Sequence, residues 1–135
     1  MKKLLEYYGA EVDLRDYELI EIDKVLYIVK KNMIPFLKEE VKAAGMKVKD
    51  SEISLEFAFK IAKNATKNKI KVNKKGENLF LYGRDVFEEN IIKGDPKKGK
   101  KLVLNRENEC LGIGFWNGKI LKNIKDRGMF LRVMD

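Results

Sequence analysis

The chain has 135 residues, 44% of them hydrophobic, one cysteine, no histidine and a formal net charge of +8, enough apolar material for one ordinary domain or two small packed ones. One cysteine allows neither an internal disulfide nor a cysteine-pair zinc site, and without imidazole the Ser-His-Asp and Cys-His catalytic arrangements are excluded, which leaves an enzyme only carboxylate or lysine chemistry. The charge is uneven: residues 1–68 carry 13 Lys+Arg against 12 Asp+Glu, and residues 69–135 carry 16 against 9, so the halves stand at +1 and +7.

Glutamine is absent and charged residues reach 37%, a bias of hyperthermophile proteins that points to a heat-adapted archaeal source and by itself enriches a surface in lysine. No run is long enough to span a membrane. The apolar residues after Met1-Lys2-Lys3 stop at Glu6 before a signal-peptide core develops, so a cytoplasmic protein with no membrane partner is expected.

Tyr17–Ile22 and Val25–Val29, rich in β-branched and aromatic residues, flank Asp23-Lys24 and predict a hairpin. Asn32 predicts the cap of a helix with Pro35 in its first turn, an apolar stripe of Ile34, Leu37, Val41 and Ala44, and Gly45 at its end. Met46–Lys49 alternates as a short strand. After Ser51 the spacing of Ile53, Phe57, Ala58, Ile61, Ala62 and Ala65 predicts an amphipathic helix whose outer face carries Glu56, Lys60 and Lys63.

At Lys67-Asn68 helical periodicity gives way to short alternating runs, which divides the chain into an amino-terminal α/β domain, residues 1–68, and a β-rich domain, residues 69–135. In the second, Ile70 and Val72 point inward and Lys69, Lys71 and Asn73 outward, and Gly76–Tyr82 is a short helix ended by Gly83 in the left-handed region. Val86–Ile92, Lys101–Arg106, Cys110–Trp116, Lys119–Ile124 and Met129–Met134 read as strands, with Asn117-Gly118 as a hairpin turn and Lys97–Lys101 as a basic loop opened by Pro96. The fold class is α+β, a small α/β domain packed on a small β barrel.

Gly112-Ile113-Gly114 lies inside a strand, with no helical pattern and no third spaced glycine after it, so it is not a dinucleotide loop. Alternation places Leu111, Ile113 and Phe115 on one face and Gly112, Gly114 and Trp116 on the other. That bare second face suits the close approach of an RNA strand, a helix, or the domain's own short helix, packing within the fold being the commoner use.

A basic half-chain suits a polyanion, most often nucleic acid. Lys119, Lys122, Lys125, Arg127 and Arg132 interleave with Phe130, combining cations for phosphates with a ring on which a base can stack, and Arg84 beside Gly83 is a further candidate RNA contact. A solvated surface is the alternative for each, and a strand-edge position for Arg132. No carboxylates group at functional spacing, so no catalytic residue, metal site or cofactor is expected.

Phe80–Val86, Leu111–Gly118 and Gly128–Arg132 together resemble a PUA domain, an RNA-binding pseudobarrel, of the kind carried by the Nip-seven group of ribosome-biogenesis factors. Gly128-Met129-Phe130-Leu131-Arg132 is similar to the Gly-x-aromatic-Leu-Arg ending of that domain, near which basic residues contact RNA in the family. The resemblance implies that role for Lys125, Arg127 and Arg132 most directly, and for Lys119 and Lys122 through the same basic segment. The order hairpin, helix, strand, helix, PUA domain also resembles the two-domain plan of those factors. The sequence departs from them at Arg84-Asp85, where members vary, and in the short segment between Asn117-Gly118 and Gly128.

What the resemblance implies is a non-enzymatic RNA-binding factor in ribosome biogenesis and pre-rRNA processing. Its ligand would be ribosomal RNA, and its amino-terminal half would bind an exosome subunit, an rRNA methyltransferase or another assembly factor. The competing expectation is a protein-interaction or RNA-targeting module that recruits such a methyltransferase or exosome subunit, its basic surface serving only solvation.

Overall fold

The structure, a computed structural model, describes residues 1–36 and 45–129. It opens with a helix whose first turn no side chain caps, α1, Lys2–Tyr8, ended by Gly9 at φ 57°. The Gly9 and Ala10 amides donate back to Glu6 O and Leu5 O, a Schellman closure. The last carbonyls of α1 are taken by the segment that leads into the second half. Tyr7 O accepts from Asn68 Nδ2 at 2.6 Å, and Tyr8 O accepts from the Thr66 and Lys67 amides at 2.9 and 3.0 Å.

The predicted hairpin is present as β1, Tyr17–Ile22, and β2, Val25–Lys30, paired antiparallel with Ile22 opposite Val25. Asp23 and Lys24 both have positive φ, the twist-matched geometry of a two-residue turn. Asn32 is not a cap but lies inside a 3₁₀ helix, Lys31–Phe36, which follows β2 directly. The remainder of the predicted helix, with Leu37, Val41 and Ala44, lies outside the described residues. Met46–Lys49 is β3, paired to β2.

The next helix, α2, Leu55–Ala62, starts later than the spacing predicts. Ser54 caps it, its hydroxyl oxygen accepting the Phe57 amide at 3.0 Å, while Ile53 is extended and bridges Lys49. Ser51 lies instead in the turn that Asp50 holds, the carboxylate accepting from the Glu52 amide at 3.0 Å and the Lys47 ammonium at 2.8 Å.

Beyond residue 68 the strands are β4, Lys69–Val72; β5, Val86–Phe87; β6, Ile91–Gly94; β7, Gly99–Leu104; β8, Cys110–Trp116; and β9, Ile120–Asp126. They form one sheet in the order β5-β9-β8-β7-β4-β6. Its two edge strands are consecutive in sequence, joined only by a 3₁₀ turn at Glu88–Asn90, so the sheet nearly closes on itself. The single strand predicted over Val86–Ile92 is therefore two strands with a corner between them, fastened where the Asn73 amide donates to Asn90 O at 2.9 Å.

The predicted basic loop is also partly strand, because β7 starts at Gly99 and includes Lys100 and Lys101. It ends before Arg106, where the Asn105 side chain accepts from the Glu107 and Glu109 amides. Of the predicted strand Met129–Met134, Met129 is helical and the rest, including Arg132, lies outside the described residues.

Helix α3, Lys74–Leu81, follows β4, capped by the Asn73 side chain on the Gly76 amide. Gly83, at φ 81°, ends it as its apolar turn predicts. The Gly83 amide donates to Phe80 O and the Arg84 amide to Leu79 O, so Arg84 is placed by the cap itself.

Two cores result. One fills the barrel beneath α3 and contains Ile70, Val72, Phe80, Val86, Val103, Leu111, Trp116 and Leu121. The other joins the halves, uniting Tyr8, Ile28, Val48, Phe57, Ala58 and Ile61 with Leu102, Leu104, Cys110 and Ile113 of the sheet.

Strand β8 serves both cores because its alternation breaks. Leu104 pairs with Cys110 and Val103 with Gly112, leaving Leu111 as an extra residue, a bulge that turns it into the barrel. Leu111 and Ile113 therefore face different cores, not the common face that period-two reading predicts. The glycines on the other face admit strand β9: a Cβ on Gly112 would lie 2.1 Å from Lys125 O, and one on Gly114 2.7 Å from Leu121 Cδ1.

Candidate nucleic-acid interface

The inter-half core covers only part of the sheet face it touches. Along β7 the residues Leu104, Leu102 and Lys100 share that face, and along β8 so do Ile113 and Phe115. Leu102 and Ile113 are buried under α1 and α2, whereas Phe115, one step further along, is 39% exposed.

Around Phe115 the register assembles a patch that no short stretch of sequence contains. Lys100 is its partner on β7 and Lys122 its partner on β9, which sets both basic side chains on its face. Two residues before Lys122 on the same face, Ile120 partners Phe87 of β5, which is 54% exposed. An exposed ring flanked by cations across neighbouring strands can stack a base and hold its phosphate.

The edge of the cover is fastened by polar contacts beside this patch. The Lys100 ammonium pairs with the Glu52 carboxylate, the Tyr7 hydroxyl donates to Lys100 O at 2.8 Å, and Lys125 Nζ donates to Ile53 O at 3.2 Å. Lys100 is thus shared between cover and patch.

The residues proposed from sequence separate accordingly. Lys122 lies on the open face, and Lys119 is exposed in the β8–β9 turn, where the Asn117 side chain accepts its amide at 2.9 Å. Lys125 lies on the same face but under the edge of the amino-terminal half. Arg127 is half-buried, its amide bonded to Leu111 O and its charge close enough to favour the Cys110 thiolate. Burial dominates at that thiol and pushes its pKa up to about 11, so Cys110 is protonated and unreactive near neutral pH.

Arg84 is exposed at the far end of α3, in a shallow depression with Lys75, Asn78, Leu79 and Tyr82, and Tyr82 is 73% exposed. The carboxy-terminal turn approaches this end, since a Cβ on Gly128 would lie 2.0 Å from Leu81 O. Arg132 falls outside the described residues. Phe115, Phe87 and Lys100 escape the sequence reading, because only strand register makes them neighbours of Lys122. Among the described residues no three of His, Cys, Asp and Glu group as metal ligands, and no helix is long and apolar enough to cross a membrane.

Residues 68–135 match the family model described as the UPF0113 PUA domain. A UPF0113 protein of Archaeoglobus fulgidus is 31% identical over 98% of this chain and 88% of its own length. A second UPF0113 protein, of Aeropyrum pernix, is 36% identical over 47% of this chain and 37% of its own. Among solved structures, a conserved PUA domain protein from Thermoplasma acidophilum matches with a TM-score of 0.64 at 17% identity, over 98% of this chain and 91% of that one. A hypothetical protein from the hyperthermophilic archaeon Pyrococcus horikoshii matches with a TM-score of 0.56 at 16% identity, over 99% and 92%. At these identities the two structures share the fold: α+β, with a barrel-like sheet.

Proposed function

The chain belongs to the UPF0113 PUA-domain family, and we propose that it is a non-enzymatic RNA-binding factor whose contact surface is the uncovered face of its barrel. A PUA domain implies RNA binding. The observation that supports this surface is the cross-strand row Lys100, Phe115, Lys122 where the amino-terminal cover stops, with Phe115 and Lys122 exposed and Lys100 half-buried in its pair with Glu52. Phe115 stacks a base and Lys122 neutralises a phosphate, with Lys119 beyond it at the hairpin tip.

The finer reading is a role in ribosome biogenesis, with ribosomal RNA as ligand and the amino-terminal half meeting an assembly or processing protein. Its support is the similarity of Gly128–Arg132 to the ending of the Nip-seven PUA domain.

Fluorescence anisotropy with a single-stranded RNA tests the surface. Phe115→Ala is expected to cost about 1–3 kcal/mol of binding, and Lys122→Ala to reduce the slope of log affinity against log salt by about 0.7, with the melting temperature nearly unchanged. Unaltered affinity in both variants would move the contact elsewhere on the domain. Crosslinking in cells tests the finer reading by naming the RNA.

A further inference from the structure

A second concentration of positive charge lies on the same sheet at its β4–β6 edge. Lys71 of β4 stands directly opposite Lys93 of β6 in an antiparallel pair. Lys69 is two residues before Lys71 on the same face, and Lys67 sits at the rim. These side chains line a concave pocket with Asn108, Leu104 and Asp95.

Like charges directly opposed across strands are destabilising. Among the described residues none of the four ammonium groups has a carboxylate partner. Asp95, the pocket's own carboxylate, is engaged elsewhere: it accepts the Lys97 amide at 3.0 Å and faces the wholly buried Lys101 ammonium at 3.8 Å. That amide and ammonium hold it ionised below the ordinary carboxylate range, and the pocket remains net positive.

We propose that this lysine pocket is a second phosphate site, which holds the backbone of the RNA bound by the PUA domain. The proposal rests on the RNA-binding reading above. Two residues along a strand advance about 6.6 Å, comparable to the step between successive phosphates of an extended nucleic-acid strand, so Lys69 and Lys71 can serve neighbouring phosphates while Lys93 faces one of them. The pocket presents ammonium groups and no exposed ring, so it contributes affinity without base preference.

The test uses the full chain, an oligouridylate probe and the double variant Lys71→Gln, Lys93→Gln, with Lys24→Gln, Lys30→Gln as the control for general charge loss. Loss of two phosphate contacts on a single strand is expected to lower the salt slope by about 1.4, with the control unchanged. Without RNA the pocket variant should melt at the same temperature as wild type or higher at low salt, because the opposed charges are gone.

Wild-type binding with an unchanged slope in the pocket variant, or an equal fall in the control, overturns the pocket and leaves the RNA-binding reading standing. Absence of binding by the wild type overturns both. A parallel titration with inorganic phosphate, followed at the Lys71 and Lys93 amides by NMR, separates the sources. Saturable shifts without any RNA binding would assign the pocket to a small phosphate compound and overturn the proposal.

Discussion

Two ends of one sheet face, built from the same strands, have opposite fates. At the covered end Leu102, Leu104, Cys110 and Ile113 close the core between the halves. At the open end Lys100, Phe115 and Lys122 meet solvent. The strands and their direction are the same at both, and the irregularities in β8 and β9 keep Cys110 with Ile113 and Lys125 with Lys122 on that one face, so a side chain's role is set by where the amino-terminal cover stops. Lysines show this most plainly: Lys122 and Lys125 are three residues apart on β9, yet one is exposed and the other is bonded to a carbonyl of the cover.

The contrast is sharpest at Ile113, wholly buried at the covered end. Ile113→Ala is expected to cost about 2–5 kcal/mol in a denaturant melt while RNA affinity per folded molecule stays at the wild-type value. Reduced affinity in the folded fraction would mean that the two ends are coupled.

A comparable loss is expected from Gly112→Ala. The residue has φ 151°, which alone costs about 1–3 kcal/mol in backbone strain, and its new Cβ would lie 2.1 Å from Lys125 O, so strand β9 must also shift. Because the β8–β9 register carries the Phe115–Lys122 pairing, binding should weaken in this variant even where it remains folded, unlike Ile113→Ala.

The paired lysines give an intermediate test. Lys125→Ala removes a bond to Ile53 O and should lower stability by about 1 kcal/mol. Lys122→Ala, at the open end, should stay within about 0.5 kcal/mol and act on RNA affinity instead. Equal stability losses from both would erase the distinction between covered and open ends.

The smallest effect concerns the rim of the cover. The Glu52 amide and then the Lys47 ammonium hold the Asp50 carboxyl well below its ordinary value of 3.8. A depressed carboxylate contributes stability that is fully present above that ordinary value and is lost as pH falls through the folded-state value. The Asp50 contribution should therefore be constant from neutral pH down to about 4 and fade below it. In Asp50→Asn the acid limb of the stability curve should be flatter, and thermal melts across that range check it.

Local chemistry made much of the fold legible. β-branched runs around Asp23-Lys24 specify their hairpin, Asn117-Gly118 the turn between β8 and β9, and Gly83 the end of α3, because turn and cap preferences depend only on a few adjacent residues. The concentration of charge after residue 68 is likewise a property of the chain alone.

Tertiary structure decided the rest. The bulge at Leu111 exists only where β8 pairs with β7, the corner at Glu88–Asn90 only because two sheet edges must meet, and the burial of Lys101 only because Asn68 and Asp95 arrive beside it. The neighbours of Lys122 were hidden for the same reason. Phe115, Lys100 and Phe87 reach its face through pairing registers between strands distant in sequence, and a one-residue slip in any register would turn those side chains to the opposite face.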